Sequence, residues 1–300
     1  MGSKLLYYLI LIPISHLPFW ALYLISNFLY IVLYKLVAYR TKVVRQNLSS
    51  AFPEKDEIEI KEIEEKFYRH LCDLIVEGIK AFTITQEETE KRMVHRNIEV
   101  MNQYKSSKRT AVLVGGHYGN WELYAIGIGL VSTYSPIAIF TPLSNKFLNK
   151  KITKSRSKYG LGLLPTSEVR AHIQSTSDEQ SVIIFAADQS PRKSQKAYWM
   201  NFLNQETGIQ FGTEKFAKSF NAVVIFGNIY KVKRGHYEVE YEVICENAEE
   251  TEYGYITQAH TKKLENIIKK QPEYWLWSHK RWKHKRPVEA AFYSDMRFKL

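Results

Sequence analysis

The chain is expected to fold as an α/β protein: a mostly parallel central sheet flanked by helices, behind an apolar N-terminal membrane segment. Three observations lead there. Short apolar runs of strand length alternate with longer segments of helical periodicity. Two of those runs, Ala111-Val112-Leu113-Val114 and Val182-Ile183-Ile184-Phe185, are apolar at every position, as suits strands covered on both faces. Finally, no Asp, Glu, Lys or Arg occurs from Leu5 to Tyr34.

That uncharged run exceeds the roughly 20 residues that cross a bilayer as a helix. Pro13 and Pro18 interrupt it, giving either a kinked span or a short entry segment followed by an interfacial helix. A cleaved signal peptide is the competing reading, but no small-x-small site precedes the resumed apolar run. Lys35, Arg40, Lys42 and Arg45 crowd the far side, which places the body in the cytoplasm if the segment spans. Residues 1–40 are therefore read as a membrane anchor and residues 41–300 as the catalytic domain.

Beyond the anchor, Pro53 ends one helix and a charged amphipathic helix follows over about 55–80, with Ile58, Ile63, Phe67, Leu71, Leu74 and Ile75 near helical spacing. A second short helix is expected over 86–96. Strands are expected over 110–115, 135–140, 161–165, 181–187, 223–230 and 237–244. Helices are expected from Trp121, over 145–158, 169–175, 212–220 and 249–270. The tail is aromatic and basic.

Composition is globular, with 45% apolar and 14% aromatic residues. A net charge of +11 points to an anionic partner, whether a lipid surface, a carrier protein or nucleic acid. The two cysteines, Cys72 and Cys245, lie far apart in no metal-like spacing, which argues against a disulfide framework.

The most informative stretch is His117-Tyr118-Gly119-Asn120-Trp121-Glu122. Residues five apart on one helix point about 140° apart, so His117 and Glu122 meet only if the helix starts between them. Gly115, Gly116 and Gly119 permit that turn, and Asn120 suits the N-cap of the helix that begins at Trp121. His117 would then stand at the carboxyl end of a strand, with Glu122 in the first helical turn. A carboxylate that fixes the imidazole tautomer prepares it to take a proton from an alcohol. The plainer alternative is a satisfied turn histidine, with Glu122 favouring the helix dipole.

Ligands of open α/β sheets gather at the carboxyl ends of strands, where two further groups are expected. Asp188 and Gln189 close the strand 182–185 and are candidates to bind substrate or support the loop, although such an Asp also serves as a turn residue. The basic stretch 145–156 reads as a solvated face or an anion-binding element, with Arg156 the best match to a phosphate or developing oxyanion. No Gly-x-Ser-x-Gly elbow, His-Glu-x-x-His motif or phosphate-binding Gly-rich loop occurs. His70 with Cys72, and His279 with His284, lack a second ligand pair, so no metal is expected. The Trp275–Trp282 mixture of bases and aromatics suits single-stranded nucleic acid or a membrane interface, and the N-terminus favours the membrane.

These residues resemble the bacterial lipid A biosynthesis acyltransferases, the late lauroyl/myristoyl type, within the lysophospholipid acyltransferase superfamily. The resemblance runs through the apolar N-terminus, Arg45-Gln46-Asn47-Leu48, Ala51-Phe52-Pro53-Glu54, and His117 to Glu122 as the His-x4-Glu form of the superfamily motif. It continues through Arg156, Asp188-Gln189 and the segment Pro272 to Arg281. It implies a glycerolphosphate-acyltransferase-like fold and acyl transfer from acyl carrier protein, or another acyl thioester such as coenzyme A, to a hydroxyl of a lipid A precursor. The reaction would run without a cofactor at the cytoplasmic face of the bacterial inner membrane. On this reading His117 is the general base oriented by Glu122, while Arg156, Asp188, Gln189 and Asn120 bind substrate. The helix 123–131 and the segment 199–203 are candidates to line an acyl channel, or equally to belong to the core. The competing expectations are the same mechanism on an aminolipid, glycolipid, phospholipid or pigment precursor, and a catalytically silent membrane-associated scaffold.

Overall fold

The computed structural model describes residues 2–169, 171 and 181–293. Its strands, in chain order, are β1 (Met93–His95), β2 (Ala111–Gly115), β3 (Ser135–Phe140), β4 (Gly162–Pro165), β5 (Ser181–Ala186), β6 (Ala197–Phe202), β7 (Gln205–Gln210), β8 (Val223–Lys233), β9 (His236–Cys245) and β10 (Phe292–Tyr293). Seven of them form the central sheet in the order β1-β9-β8-β2-β5-β3-β4. From β8 to β4 every pairing is parallel, while β9 runs antiparallel to β8 and carries β1 with it at the edge. The expected mostly parallel sheet is present, with a reversed edge pair.

The alternation of side chains divides the core. Val112, Val114, Ile183, Val224 and Phe226 face one side, where helices Thr41–Ala51 and Tyr255–Lys270 and the aromatic tail pack. Ala111, Leu113, Val182, Val223 and Ile225 face the other, against helix Trp121–Val131. Cover on both faces is why β2 and β5 read as uninterrupted apolar runs. Each fully buried Val, Leu, Ile or Phe among them contributes about 1.5–3 kcal/mol.

Helix Glu57–Lys80 starts at Asp56, which forms a capping box with Glu59. The expected helix over 86–96 ends at Arg92, because Met93–His95 pair with β9. The last long helix begins at Tyr255 rather than 249. Gly254 adopts φ +88°, and the buried Glu214 carboxylate accepts the backbone N–H groups of Gly254 and Thr257. The helix expected over 169–175 lies largely outside the described residues.

Between β5 and helix Gly212–Ser219 a hairpin was not anticipated: β6 and β7 pair antiparallel, with β10 alongside. Its turn is Leu203-Asn204, both at positive φ, where Asn-Gly is the usual signal. Leu203 is fully buried and its N–H is held by Glu265 at 2.9 Å, so tertiary contacts impose the turn. Trp199, Phe202 and Leu203 are core residues, the second of the two roles open to them from the sequence, and not channel residues.

The apolar N-terminus lies along helix Glu57–Lys80. Residues 19–36 are long and apolar enough to cross a membrane, with a mean hydropathy of 1.5. Tyr34 stacks on Tyr68 at 4.7 Å, Ser26 donates to Asp73 at 2.7 Å, and Lys35 pairs with Glu65 at 3.0 Å. Trp20, Leu24, Phe28 and Ile31 face outward.

Helix Trp121–Val131, which begins at the His117 turn, approaches the loop after helix Lys146–Arg156 through Gly129. A Cβ there would lie 2.0 Å from the Tyr159 carbonyl oxygen, a backbone atom that cannot swing aside. Gly129→Ala should therefore destabilise the protein by about 1–3 kcal/mol. Thermal unfolding in detergent checks this, and an unchanged melting temperature would refute the close packing.

Candidate active site

β2 and β5 are neighbours in register, so the residues after each strand emerge side by side. The Ala187 N–H continues the ladder to the Gly115 carbonyl at 3.1 Å, which brings Asp188 beneath His117. Gly116 lets the two chains close: a Cβ there would meet the Leu264 methyls at 2.8 Å and the Asp188 Oδ2 at 3.2 Å. Asp188 accepts three hydrogen bonds, from the His117 backbone N–H at 2.8 Å, His117 Nδ1 at 2.7 Å and Trp275 Nε1 at 2.8 Å.

This corrects the expected pairing. The carboxylate on His117 Nδ1 is Asp188, not Glu122. Gly119, at φ +61°, breaks the chain as anticipated, and Asn120 caps helix Trp121–Val131 by accepting the Leu123 N–H at 2.8 Å. Glu122 does stand in the first turn, but both its oxygens are taken by Arg156, from Nε at 2.9 Å and Nη2 at 2.5 Å. It acts on His117 only through its charge.

The three donors stabilise an ionised Asp188. Burial alone would raise its pKa, but the His117 ring and the hydrogen bonds outweigh that and lower it to about 2. For His117, burial opposes the charged ring, while the charge and hydrogen bond of Asp188 and the charge of Glu122 favour it; the net shift is upward from 6.5. The Asp188 contribution to stability is thus present above its unfolded value of 3.8 and is lost as pH falls towards 2. The His117 contribution is present at acid pH and is lost as pH rises through its elevated value. Because the ionised carboxylate accepts from Nδ1, we assign the neutral ring's proton to Nδ1, leaving Nε2 unprotonated as an acceptor. Gln189 Nε2 lies 3.3 Å from that Nε2, so the expected proximity of Gln189 is observed.

His117, Trp121, Glu122, Arg156 and Gln189 line a cavity of about 740 Å³. Leu113 and Val114, Ala138 and Ile139, and Ile184 and Phe185 also line it. Successive strand residues point to opposite faces, so the cavity reaches down both sides of the sheet from its carboxyl edge. Tyr124 and Ala125 place helix Trp121–Val131 in its wall, as the channel expectation for that helix requires. Exposed Leu143 and Lys215 stand at its rim.

Asn120 is not a cavity residue. It is 1% exposed, and its amide nitrogen donates to Glu77 at 2.6 Å, so both ends of the side chain are engaged by protein and the expected substrate contact is corrected to a structural one. Asp188 likewise supports the histidine from below. The histidines weighed as metal ligands have other partners. His70 Nε2 bonds the Gly119 carbonyl at 3.2 Å, and His279 Nε2 accepts the Ser190 N–H at 3.1 Å. Among the described residues no group of three or more His, Cys, Asp or Glu is arranged to hold a metal ion.

Two residues complete the support: Trp275, read from the sequence as part of a membrane-interface or nucleic-acid surface but only 2% exposed here, and Asn47, which entered only through the resemblance. The tail is strapped to the catalytic turn by Gly119 N–H to Tyr274 O and Leu276 N–H to His117 O, which aims Trp275 at Asp188. Asn47 then grips the tail, donating to the carbonyls of Trp277 at 2.9 Å and His279 at 3.0 Å. Four stretches distant in sequence thereby converge on one site.

The family model for bacterial lipid A biosynthesis acyltransferases matches residues 2–284. The chain is 21% identical over 260 residues to the lipid A biosynthesis palmitoleoyltransferase of Escherichia coli (strain K12), covering 85% of this chain and 82% of the relative. The same figures hold for a lipid A biosynthesis acyltransferase of Shigella flexneri.

The geometry predicts how the ring titrates. By histidine-selective NMR, His117 should titrate above 6.5 in the wild type. In Asp188→Asn, where burial is no longer outweighed, it should titrate below 6.5. Equal values in the two proteins would remove Asp188 as the controlling group.

Proposed function

The chain belongs to the bacterial lipid A biosynthesis acyltransferase family, and from that premise we propose that His117 is the general base for acyl transfer from a carrier-bound thioester to a hydroxyl of a lipid A precursor. The observation that carries this reading is the His117 Nε2 lone pair, directed at an apolar cavity by a buried, ionised Asp188 behind Nδ1. The acceptor hydroxyl displaces the Gln189 amide from Nε2 and gives up its proton there as its oxygen attacks the thioester carbonyl. The new O–C bond forms, the C–S bond breaks, and the sulfur leaves. A thiol ionises near pKa 8.5, so its departure needs little protonation, and the imidazolium returns the proton to it or to solvent.

Asp188 holds the reactive tautomer and stabilises the imidazolium, a division of labour that typically gives about 10²–10⁴-fold from acid–base assistance. Glu122 keeps the role of an anchor for Arg156. The guanidinium it fixes at the cavity wall supplies positive charge for the developing oxyanion or an acceptor phosphate. No acyl-enzyme is required. The two arms of the cavity suit two lipidic reactants meeting at His117, with the donor chain lying under helix Trp121–Val131. Acyl carrier protein is an acidic donor and matches the +11 charge of the chain.

We also assign the outward face of residues 19–36 to the bilayer, with the body on the cytoplasmic side of the inner membrane. This face holds Trp20, Leu24, Phe28 and Ile31 exposed together, far more apolar surface than a helix in water presents.

His117→Ala should lose at least about 10²-fold in kcat while still folding and binding membranes. Asp188→Asn should lose comparably, and Glu122→Gln less. The wild-type rate should rise with pH through a value above 6.5, as His117 loses its proton. Near-wild-type turnover by His117→Ala would sink the mechanism. Mass spectrometry of total lipids from cells with and without the protein tests the acceptor. Loss of one secondary acyl chain from lipid A is expected, whereas an unchanged lipid A with another lipid missing would overturn that assignment.

A further inference from the structure

Helix Glu57–Lys80 carries a buried polar stripe, His70, Asp73 and Glu77, whose spacings of three and four residues put them on one face. This face lies between the catalytic turn and the N-terminal apolar helix. On the catalytic side, His70 Nε2 bonds the Gly119 carbonyl and Glu77 Oε2 accepts from Asn120 Nδ2 at 2.6 Å. On the other side, Glu77 Oε1 accepts the Tyr23 hydroxyl at 2.9 Å and Asp73 accepts the Ser26 hydroxyl at 2.7 Å. Glu77 also accepts the Tyr237 hydroxyl from β9 at 2.9 Å. Its carboxylate thus gathers three neutral donors, one each from the catalytic turn, the sheet and the apolar helix. The cations of this layer, half-buried Lys231 and exposed Arg234, both bind Asp73, and Lys231 also reaches His70 Nδ1.

We propose that Glu77 is a positioning residue for catalysis, fixing the His117–Asn120 turn to the N-terminal apolar helix through one shared carboxylate. The proposal rests on His117 being the base. Asn120 is the last residue of that turn and the cap of the helix bearing Glu122, so a displaced Asn120 moves the histidine on one side and the Arg156 anchor on the other. A misplacement of about 1 Å at a reacting group is worth about 10²-fold in rate. The apolar segment is accordingly part of the active-site scaffold as well as a lipid-facing surface. Tyr23 is the link.

Asn120→Asp separates positioning from capping. Asp caps a helix as well as Asn does, so if capping were the whole role of Asn120 the variant would be near wild type at every pH. If Glu77 positions Asn120, the substitution sets two buried carboxyl groups against each other. Such a pair keeps one shared proton and loses it as pH rises. The kcat of Asn120→Asp, measured on the full chain with labelled acyl carrier protein thioester and a lipid A precursor in mixed micelles, should fall by about 10-fold or more between neutral and alkaline pH with KM little changed. Adding Glu77→Gln, whose amide can donate to the new carboxylate, should restore both the rate and the wild-type pH profile. Tyr23→Phe should lower kcat several-fold, while Ile58→Ala, at an exposed position of helix Glu57–Lys80, should not. A pH-independent, wild-type kcat in Asn120→Asp, a loss that Glu77→Gln does not rescue, or a wild-type kcat in Tyr23→Phe would each overturn the proposal. His117→Ala, run alongside, keeps the two readings apart: activity there removes the base itself, whatever the Glu77 variants do.

Discussion

Everything around the candidate site turns on keeping one ionised carboxylate out of water. A buried charge without partners costs many kilocalories per mole, so Asp188 exists as an anion only because three donors converge on it. Two of the three come from His117 itself, backbone and ring, so the residue that needs orienting also stabilises the group that orients it. The third, Trp275, belongs to the tail, and the tail is held by Asn47 from the helix that follows the apolar segment. The close approach of β2 and β5, the absence of a side chain at Gly116 and the strapping of the tail across the catalytic turn serve the same contact. Loosening any of them admits water to Asp188 and weakens its hold on the ring.

How much of this was legible in the sequence follows from how local each feature is. Short continuous apolar runs announce themselves as strands, which is why Ser135–Phe140 and Ser181–Ala186 match the expected spans within a residue. The break between His117 and Glu122 was also legible, since helical geometry demands it and Gly119 with Asn120 supplies it. What geometry within the motif could not reveal was the partner. Asp188 lies 71 residues away, just past the end of a neighbouring strand, and strand order is not written in periodicity. The nearest carboxylate in sequence was therefore given the role, and Asn120 was given a ligand although its cap and Glu77 consume it. The β6–β7 hairpin was hidden because Leu203 leads a turn where Asn-Gly is the usual signal, and Asn204 alone carries turn chemistry. The stripe on helix Glu57–Lys80 was hidden for the opposite reason. His70, Asp73 and Glu77 sit on a helix read only as charged and amphipathic, with His70 weighed as a metal ligand, whereas Ile58 and Ile75, counted towards its apolar face, are exposed.

That inversion extends to the N-terminal helix. A helix covering a protein in water turns its apolar stripe inward and its polar residues out. Between residues 19 and 31 the arrangement is reversed in part: Tyr23 and Ser26 make hydrogen bonds inward to Glu77 and Asp73, while Trp20, Leu24, Phe28 and Ile31 look outward. In water this helix would dock through its buried Leu22 and Tyr30, while its inward hydrogen bonds compete with solvent and its outward face gains nothing. In hydrocarbon the balance changes. The outward residues are at no disadvantage there, and the hydroxyls of Tyr23 and Ser26 have no alternative to the carboxylates beneath them. The proposed bilayer placement therefore strengthens the two contacts that reach towards the catalytic turn. Lipid contact and a well-built site then favour each other through the same hydrogen bonds.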